Sequence, residues 1–267
     1  MFEKIEFHNN FKFNKLVKEH RILHKRYVKK SDVSYEKRNN FLKHHITRNK
    51  KTGEIFAITK DLKTDFNNYK NLTYLRVKEL VRTTIEEDKE RIFITLTLPS
   101  KYHPFLCING KYVKNKNFGF FELDERIKKG YKELNKMYRE FYKNVKKRKN
   151  KDMKFIKIIE PHKSLIPHLH RVVFIEKGTY LSVKNKFDNI NKKYDLKQTE
   201  IERIGTKKGL KSGKVSSTRG YIIKYILKNF EENELKKLDG WKKTNKIRFF
   251  SMSNLELSSL YFKKLYY

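Results

Sequence analysis

His168 and His170 stand two residues apart in the stretch Glu160-Pro161-His162-Lys163-Ser164-Leu165-Ile166-Pro167-His168-Leu169-His170, ahead of the apolar run Val172-Val173-Phe174-Ile175. β-Branched and aromatic residues of that kind favour a strand, and on a strand residues two apart share a face. Two imidazoles on one face, with Glu160 and His162 a short turn upstream, make a donor set suited to a divalent cation. His162 is readable as an alternative third ligand or as a group that orients one. Mixed nitrogen and oxygen donors suit Mg2+ or Mn2+, and Zn2+ would also bind such a set. Three of the nine histidines in the chain fall between 162 and 170. A surface strand can also carry His-X-His with no chemical purpose, so the surrounding residues decide the reading.

A second reactive group lies in Gly220-Tyr221-Ile222-Ile223-Lys224-Tyr225-Ile226-Leu227-Lys228-Asn229. Helical spacing puts Tyr221, Tyr225 and Lys228 on one face, with Lys224 alongside. A phenol with an ordinary pKa near ~10 is a weak nucleophile at neutral pH, and Lys224 and Lys228 stand where they favour its ionised form or hold a phosphate. The plain alternative is a helix that buries its Ile and Leu and lets Tyr and Lys reach water along the rim.

These groups need a scaffold. The alternating run Ile92 to Leu98, closed by Pro99-Ser100, predicts a central strand with Thr95 and Thr97 on its polar face. Phe155 to Ile159 predicts the next strand, and a turn at Lys163-Ser164-Leu165 leads into the His-Leu-His strand, so antiparallel pairing brings Glu160 back toward the histidines. Residues 122 to about 148 predict a long helix, with apolar positions Leu123, Ile127, Tyr131, Leu134, Tyr138, Phe141, Tyr142 and Val145 at steps of three and four. Shorter helices are expected over Leu75 to Lys89 and Leu181 to Tyr194, and a short strand over Glu200 to Ile204. Gly205 to Ser217 reads as a mobile cationic loop, and Ile247 to Tyr267 as the edge of the same domain. Residues 1 to about 70 have apolar positions too scattered for a core of their own. Short helices, a hairpin at Thr52-Gly53 and surface histidines (His20, His24, His44, His45) are expected there. The expected organisation is a basic N-terminal extension over 1–74 and one catalytic domain over 75–267, of the α+β class, with a central antiparallel sheet flanked by helices.

Lys and Arg total 65 against 30 Asp and Glu, a net charge of +35 over 267 residues. Such a charge repels itself unless a polyanion is present, and it draws phosphate backbones by counterion release. The 16 Tyr and 20 Phe also suit stacking on unpaired bases. Cys107 is the single cysteine, which excludes internal disulfides and cysteine-based zinc fingers. Early apolar runs are too short for a signal peptide or a membrane span, so a reducing bacterial cytoplasm is the expected location, with no membrane partner.

The strand Phe93 to His103, the stretch Glu160 to His170 and the helix Tyr221-Ile222-Ile223-Lys224-Tyr225 together resemble three ordered motifs of the HUH endonucleases, the rolling-circle replication initiators. Within that class the resemblance is to the phage replication gene A protein family and related plasmid Rep proteins, whose two tyrosines stand in a Tyr-X-X-Lys-Tyr frame. It covers residues 75 to 267. It implies a sheet with the His-X-His strand near its middle and a tyrosine helix facing the metal. It also implies metal-dependent, site-specific nicking and rejoining of single-stranded DNA through a 5′-phosphotyrosyl link at a phage or plasmid origin. The implied partners are single-stranded DNA, an origin hairpin or duplex, and a host polymerase. A host helicase is implied too, because no Gly-rich phosphate loop of the Walker type is present. Two rival readings remain at this point: an HUH transposase of the same chemistry, and a non-catalytic nucleic-acid-binding protein with a structural metal site.

Overall fold

The computed structural model describes residues 11–57, 62–108, 111–118, 122–147, 150–204 and 232–255. Its helices are α1 (Phe11–His44), α2 (Leu62–Glu86), α3 (Leu123–Val145), α4 (Tyr180–Tyr194) and α5 (Glu232–Asn245). Its strands are β1 (Ile46–Arg48), β2 (Ile55–Ala57), β3 (Glu90–Thr97), β4 (Phe105–Ile108), β5 (Lys111–Lys114), β6 (Lys154–Pro161), β7 (Pro167–Ile175), β8 (Glu200–Arg203) and β9 (Phe250–Met252). No helix among the described residues is long and apolar enough to cross a membrane. Tyr221, Lys224, Tyr225 and Lys228, and the loop expected over 205–217, lie outside the described residues.

Five strands pair antiparallel in the order β8-β3-β7-β6-β9. This is the expected α+β architecture, and β7, which carries His168 and His170, is the middle strand. Paired residues across antiparallel neighbours share a face. One face therefore carries Thr95 and Thr97 of β3, His168 and His170 of β7, and Ile158 and Glu160 of β6. The other carries Ile94 and Leu96, Leu169 and Arg171, and Lys157 and Ile159. α3 packs on this second face through Tyr138 and Tyr142, which reach Arg171. α3 follows its predicted periodicity: Leu123, Ile127, Leu134, Tyr138, Phe141 and Val145 are buried. Asp124 and Glu125 in its first turn and Lys143 in its last complement the helix dipole.

The N-terminal region departs from expectation. In place of short helices, α1 is one helix of 34 residues, and α2 begins at Leu62, so the boundary expected at residue 74 falls inside a helix. The β1–β2 hairpin forms where Thr52-Gly53 predicted it, with Gly53 at φ +78°. α1 has little apolar surface, but Leu23 and Tyr27 are buried in the same core cluster as the sheet. His20, expected at the surface, is buried, whereas His44 and His45 are exposed. Ile85, expected on the buried face of α2, is exposed, while Thr84 is buried and its hydroxyl donates to carbonyls one turn back.

α5 and the β4–β5 hairpin had no counterpart in the sequence reading. α5 packs on α1 so closely that a Cβ at Gly240 would collide with the Tyr27 carbonyl. Side-chain rearrangement cannot relieve a clash with backbone, so Gly240→Ala is expected to cost about 3 kcal/mol or more, at or beyond the upper end of overpacking effects. Urea unfolding monitored by Trp241 fluorescence checks this; a variant with the wild-type midpoint would mean that the two helices can separate freely.

Candidate metal centre

The β6–β7 register sets Glu160 opposite His168 and Ile158 opposite His170. Carried on alternate residues of one strand, the His168 and His170 rings lie 4.4 Å apart between centroids. Each Nδ1 meets a threonine of β3: His168 with Thr97 Oγ1 at 3.0 Å, His170 with Thr95 Oγ1 at 3.4 Å. His170 Nε2 donates to Glu160 Oε1 at 3.1 Å, and Phe93 stacks on the His170 ring at 5.6 Å. The polar face expected of β3 thus has a definite task, which is to orient both imidazoles. Only the pairing of β3 with β7 reveals it; Thr95 and Thr97 alone gave no such signal.

His162 sits in the turn between β6 and β7, with its ring centroid 6.0 Å from that of His168. Its neighbours fix its tautomer. His103 Nε2 lies 3.2 Å from the Leu98 carbonyl, which can only accept, so Nε2 carries the hydrogen and Nδ1 is bare. Ser164 Oγ then donates to His103 Nδ1 at 3.0 Å and accepts from His162 Nδ1 at 3.3 Å. This assignment follows from the network, and it leaves the Nε2 lone pair of His162 available. Sequence reasoning missed His103 and Ser164, because the 3-10 turn Ser100–Tyr102 that brings His103 to the site carries no chemical signature.

The turn itself is tightly held. Leu165 has φ +66°, an unfavourable conformation for a γ-branched residue, and it persists because neighbours constrain it. The His162 N–H donates to Ile166 O at 2.8 Å and the Leu165 N–H to His162 O at 2.7 Å. From outside, Trp241 Nε1 of α5 donates to Leu165 O at 2.9 Å and His20 Nε2 of α1 to Lys163 O at 3.0 Å.

Electrostatics disfavour the charged form of three of these histidines, His168, His103 and His162. Burial, reinforced by His170 and His162, pushes the His168 imidazole down to about 3. Burial and then His162 bring His103 to about 4. Burial and Lys163 lower His162 as well. Neutral imidazole is the form that binds metal. Among the described residues no group of three or more His, Cys, Asp or Glu side chains converges closely enough to hold a metal ion as it stands. The donors nevertheless fit a divalent cation in chemistry: two threonine-oriented imidazoles and a carboxylate already hydrogen-bonded to one of them. His168, His170 and Glu160 are the residues that could hold it, with His162 beside them.

Two measurements probe this network. A neutral buried histidine must take up a proton on unfolding in acid, so its contribution to stability is complete above its unfolded pKa of 6.5 and is lost as pH falls toward the folded value. For His103 this amounts to about 3 kcal/mol between pH 6.5 and 4. His103→Gln is expected to flatten the acid limb of a stability-pH curve by that amount; an unchanged slope would remove His103 from the acid response. Ser164→Ala deprives two ring nitrogens of a partner. It should cost about 1–3 kcal/mol and turn the single-tautomer 15N pattern of His162 into a mixture, whereas a retained pattern would refute the hydrogen-bond order assigned above.

Over 173 residues the chain is 30% identical to a replication protein of Haemophilus phage HP1 (strain HP1c1), covering 61% of this chain and 19% of that protein. Over 203 residues it is 26% identical to the replication gene A protein of Escherichia phage P2, covering 72% of this chain and 25% of that protein. The chain thus spans a quarter or less of the length of these relatives. No solved structure matches it significantly. Residues 14–233 match the family model of the bacteriophage replication gene A protein (GPA), beginning well inside the stretch expected to lie outside the resemblance. The chain belongs to the bacteriophage replication gene A protein family.

Proposed function

We propose that the chain initiates rolling-circle replication at a phage or plasmid origin by nicking and rejoining one DNA strand, as HUH endonucleases do. The observation that carries this reading is the pair of threonine-oriented imidazoles beside Glu160 on the middle strand of the sheet, in a chain of the replication gene A family. Replication gene A proteins are in general nicking endonucleases.

The cofactor in this reading is Mg2+ or Mn2+, held by His168, His170 and Glu160. When bound, it supplies charge neutralisation at the non-bridging oxygens of the scissile phosphate. The chain's own residues do the rest. Thr95 and Thr97 hold the imidazoles in orientation, and the His103-Ser164-His162 series of hydrogen bonds leaves the His162 Nε2 lone pair available on a ring beside His168. The nucleophile is the Tyr221 or Tyr225 phenol, with Lys224 and Lys228 favouring its ionised form or holding the phosphate. Its oxygen forms a bond to phosphorus as the bond from phosphorus to the 3′ oxygen breaks. The phenol's proton goes to solvent, and the departing 3′ oxygen takes one up. The products are a 5′-phosphotyrosyl link and a free 3′-hydroxyl that a host polymerase extends. Attack by a 3′-hydroxyl on the link reverses the exchange and rejoins the strand, so no external energy source is required. Two tyrosines allow two successive transfers. Strand separation falls to a host helicase.

The test is incubation of the protein with labelled single-stranded DNA from its cognate origin, with and without Mn2+ or Mg2+, followed by denaturing gels. The expected result is a metal-dependent covalent protein-DNA band, lost in His168→Ala and in the Tyr221→Phe/Tyr225→Phe double variant. In Thr97→Val the metal concentration needed should rise by about tenfold to a hundredfold, the usual effect of removing an orienting partner. DNA binding without any adduct would overturn the nicking reading.

A further inference from the structure

The sheet face opposite the histidines holds a charge that no carboxylate among the described residues neutralises. Arg171 follows His170 on β7, so strand alternation turns it toward α3. There its guanidinium lies between the Tyr138 ring, at 3.7 Å, and the Phe155 ring, at 3.6 Å, with Tyr142 at 5.5 Å. Arg171 is 3% exposed, yet among the described residues its side chain makes no ion pair or hydrogen bond. Its Nε and the Tyr138 hydroxyl are both buried with no hydrogen-bond partner among the described residues.

The surroundings add positive charge. Lys157 is the cross-strand partner of Arg171, and the cations Arg171, Arg248 and Arg139 act on its ammonium. Burial and these cations pull the Lys157 ammonium down to about 8. Ser251 continues the row to β9 at the sheet edge. On α3, Lys132, Lys136, Arg139 and Lys143 succeed one another at steps of four, three and four and border an open depression of about 560 Å³. The carboxylate in that lining, Glu140, is already engaged by Lys193 and Tyr194.

Stacked rings offset part of the cost of burying a guanidinium, but they cover only its two faces. The N–H donors lie in the plane, at the edge, and that edge is the fork that fits a phosphate in bidentate fashion. A guanidinium gripped by its faces, with edge donors unused and cations for neighbours, is preorganised for an anion.

We propose that Arg171, Lys157 and the cationic face of α3 form a second phosphate-binding subsite, for the backbone of a nucleic-acid strand, on the side of the sheet opposite the histidines. It rests on the nucleic-acid-binding part of the function proposed above and is independent of nicking. Contacts of this kind position a strand without reading its sequence.

The experiment is fluorescence anisotropy with fluorescein-labelled oligo(dT), in EDTA, over a range of salt concentrations. It compares the wild type with Arg171→Met, Lys157→Gln and the distant control Lys177→Gln. Arg171→Met is expected to keep or raise the thermal midpoint, because methionine fills the slot without a buried charge. It should also weaken binding by about tenfold or more. Arg171→Met and Lys157→Gln should each lower the slope of log K against log salt by about 0.7, the value for one single-strand contact. Lys177→Gln should change neither quantity to that extent. If Arg171→Met loses thermal stability while it and Lys157→Gln both bind with wild-type affinity and slope, Arg171 is a packed core cation and the subsite is refuted. A wild type that fails to bind oligo(dT) overturns the nucleic-acid reading and the subsite together. Adduct formation at the histidines is measured separately with metal, so its failure leaves this outcome standing.

Discussion

β7 is hydrogen-bonded along both edges, to β3 through eight residue pairs and to β6 through eight. That double pairing is the constraint on which the rest of the structure depends. Strand alternation has a period of two, so a slip of one residue would send His168 and His170 to the α3 side and Arg171 to theirs. Buried apolar residues prevent it: Leu169, Val173 and Ile175 on one face, and Val172 and Phe174 on the other, are all almost completely enclosed. With the register fixed, Thr95, Thr97 and Glu160 have no freedom to miss their imidazoles. One pairing decision therefore sets the donors, the groups that orient them, and the separation between the histidine face and the cationic face.

The hairpin turn is the weak point of such an arrangement, because a loop carries His162 and loops open more readily than strands. The molecule answers with two helices far apart in sequence. α1 supplies His20 to the Lys163 carbonyl, α5 supplies Trp241 to the Leu165 carbonyl, and the two pack on each other through the close approach of Gly240 to Tyr27. The N-terminal helix, expected only as part of a basic extension, thus serves as a buttress of the site.

This explains what the sequence did and did not disclose. Strands β3, β6 and β7 were legible as short runs of β-branched, aromatic and other apolar residues closed by turn signals, and helices α3 and α4 because their buried residues recur at helical spacing, as in Val183, Phe187 and Ile190. Pairing of β6 with β7 followed from the short turn, and with it the return of Glu160. α1 was not legible as one helix, because its buried positions, such as Val17, Leu23 and Tyr27, are sparse and their meaning comes from α5, some two hundred residues away. The same holds for His103 and Ser164, ordinary residues in ordinary turns that acquire a role only when the chain folds them against His162. The cationic cluster around Arg171 was diluted in a composition where lysine is everywhere; burial singles it out.

Charge links the two halves of the site chemistry. In a chain with 65 Lys and Arg against 30 Asp and Glu, a divalent cation approaches through a repulsive field. The His168 imidazole that would receive it is neutral, which removes local repulsion but supplies no attraction, and Glu160 is the carboxylate beside it. Under the proposed function the remaining negative charge comes from the substrate: a strand drawn in by the cationic surface brings its phosphate to the histidine face. Metal and DNA then each raise the affinity of the other by the same factor, as linkage requires. The excess of lysine works against metal binding in the free protein and in its favour once nucleic acid is present.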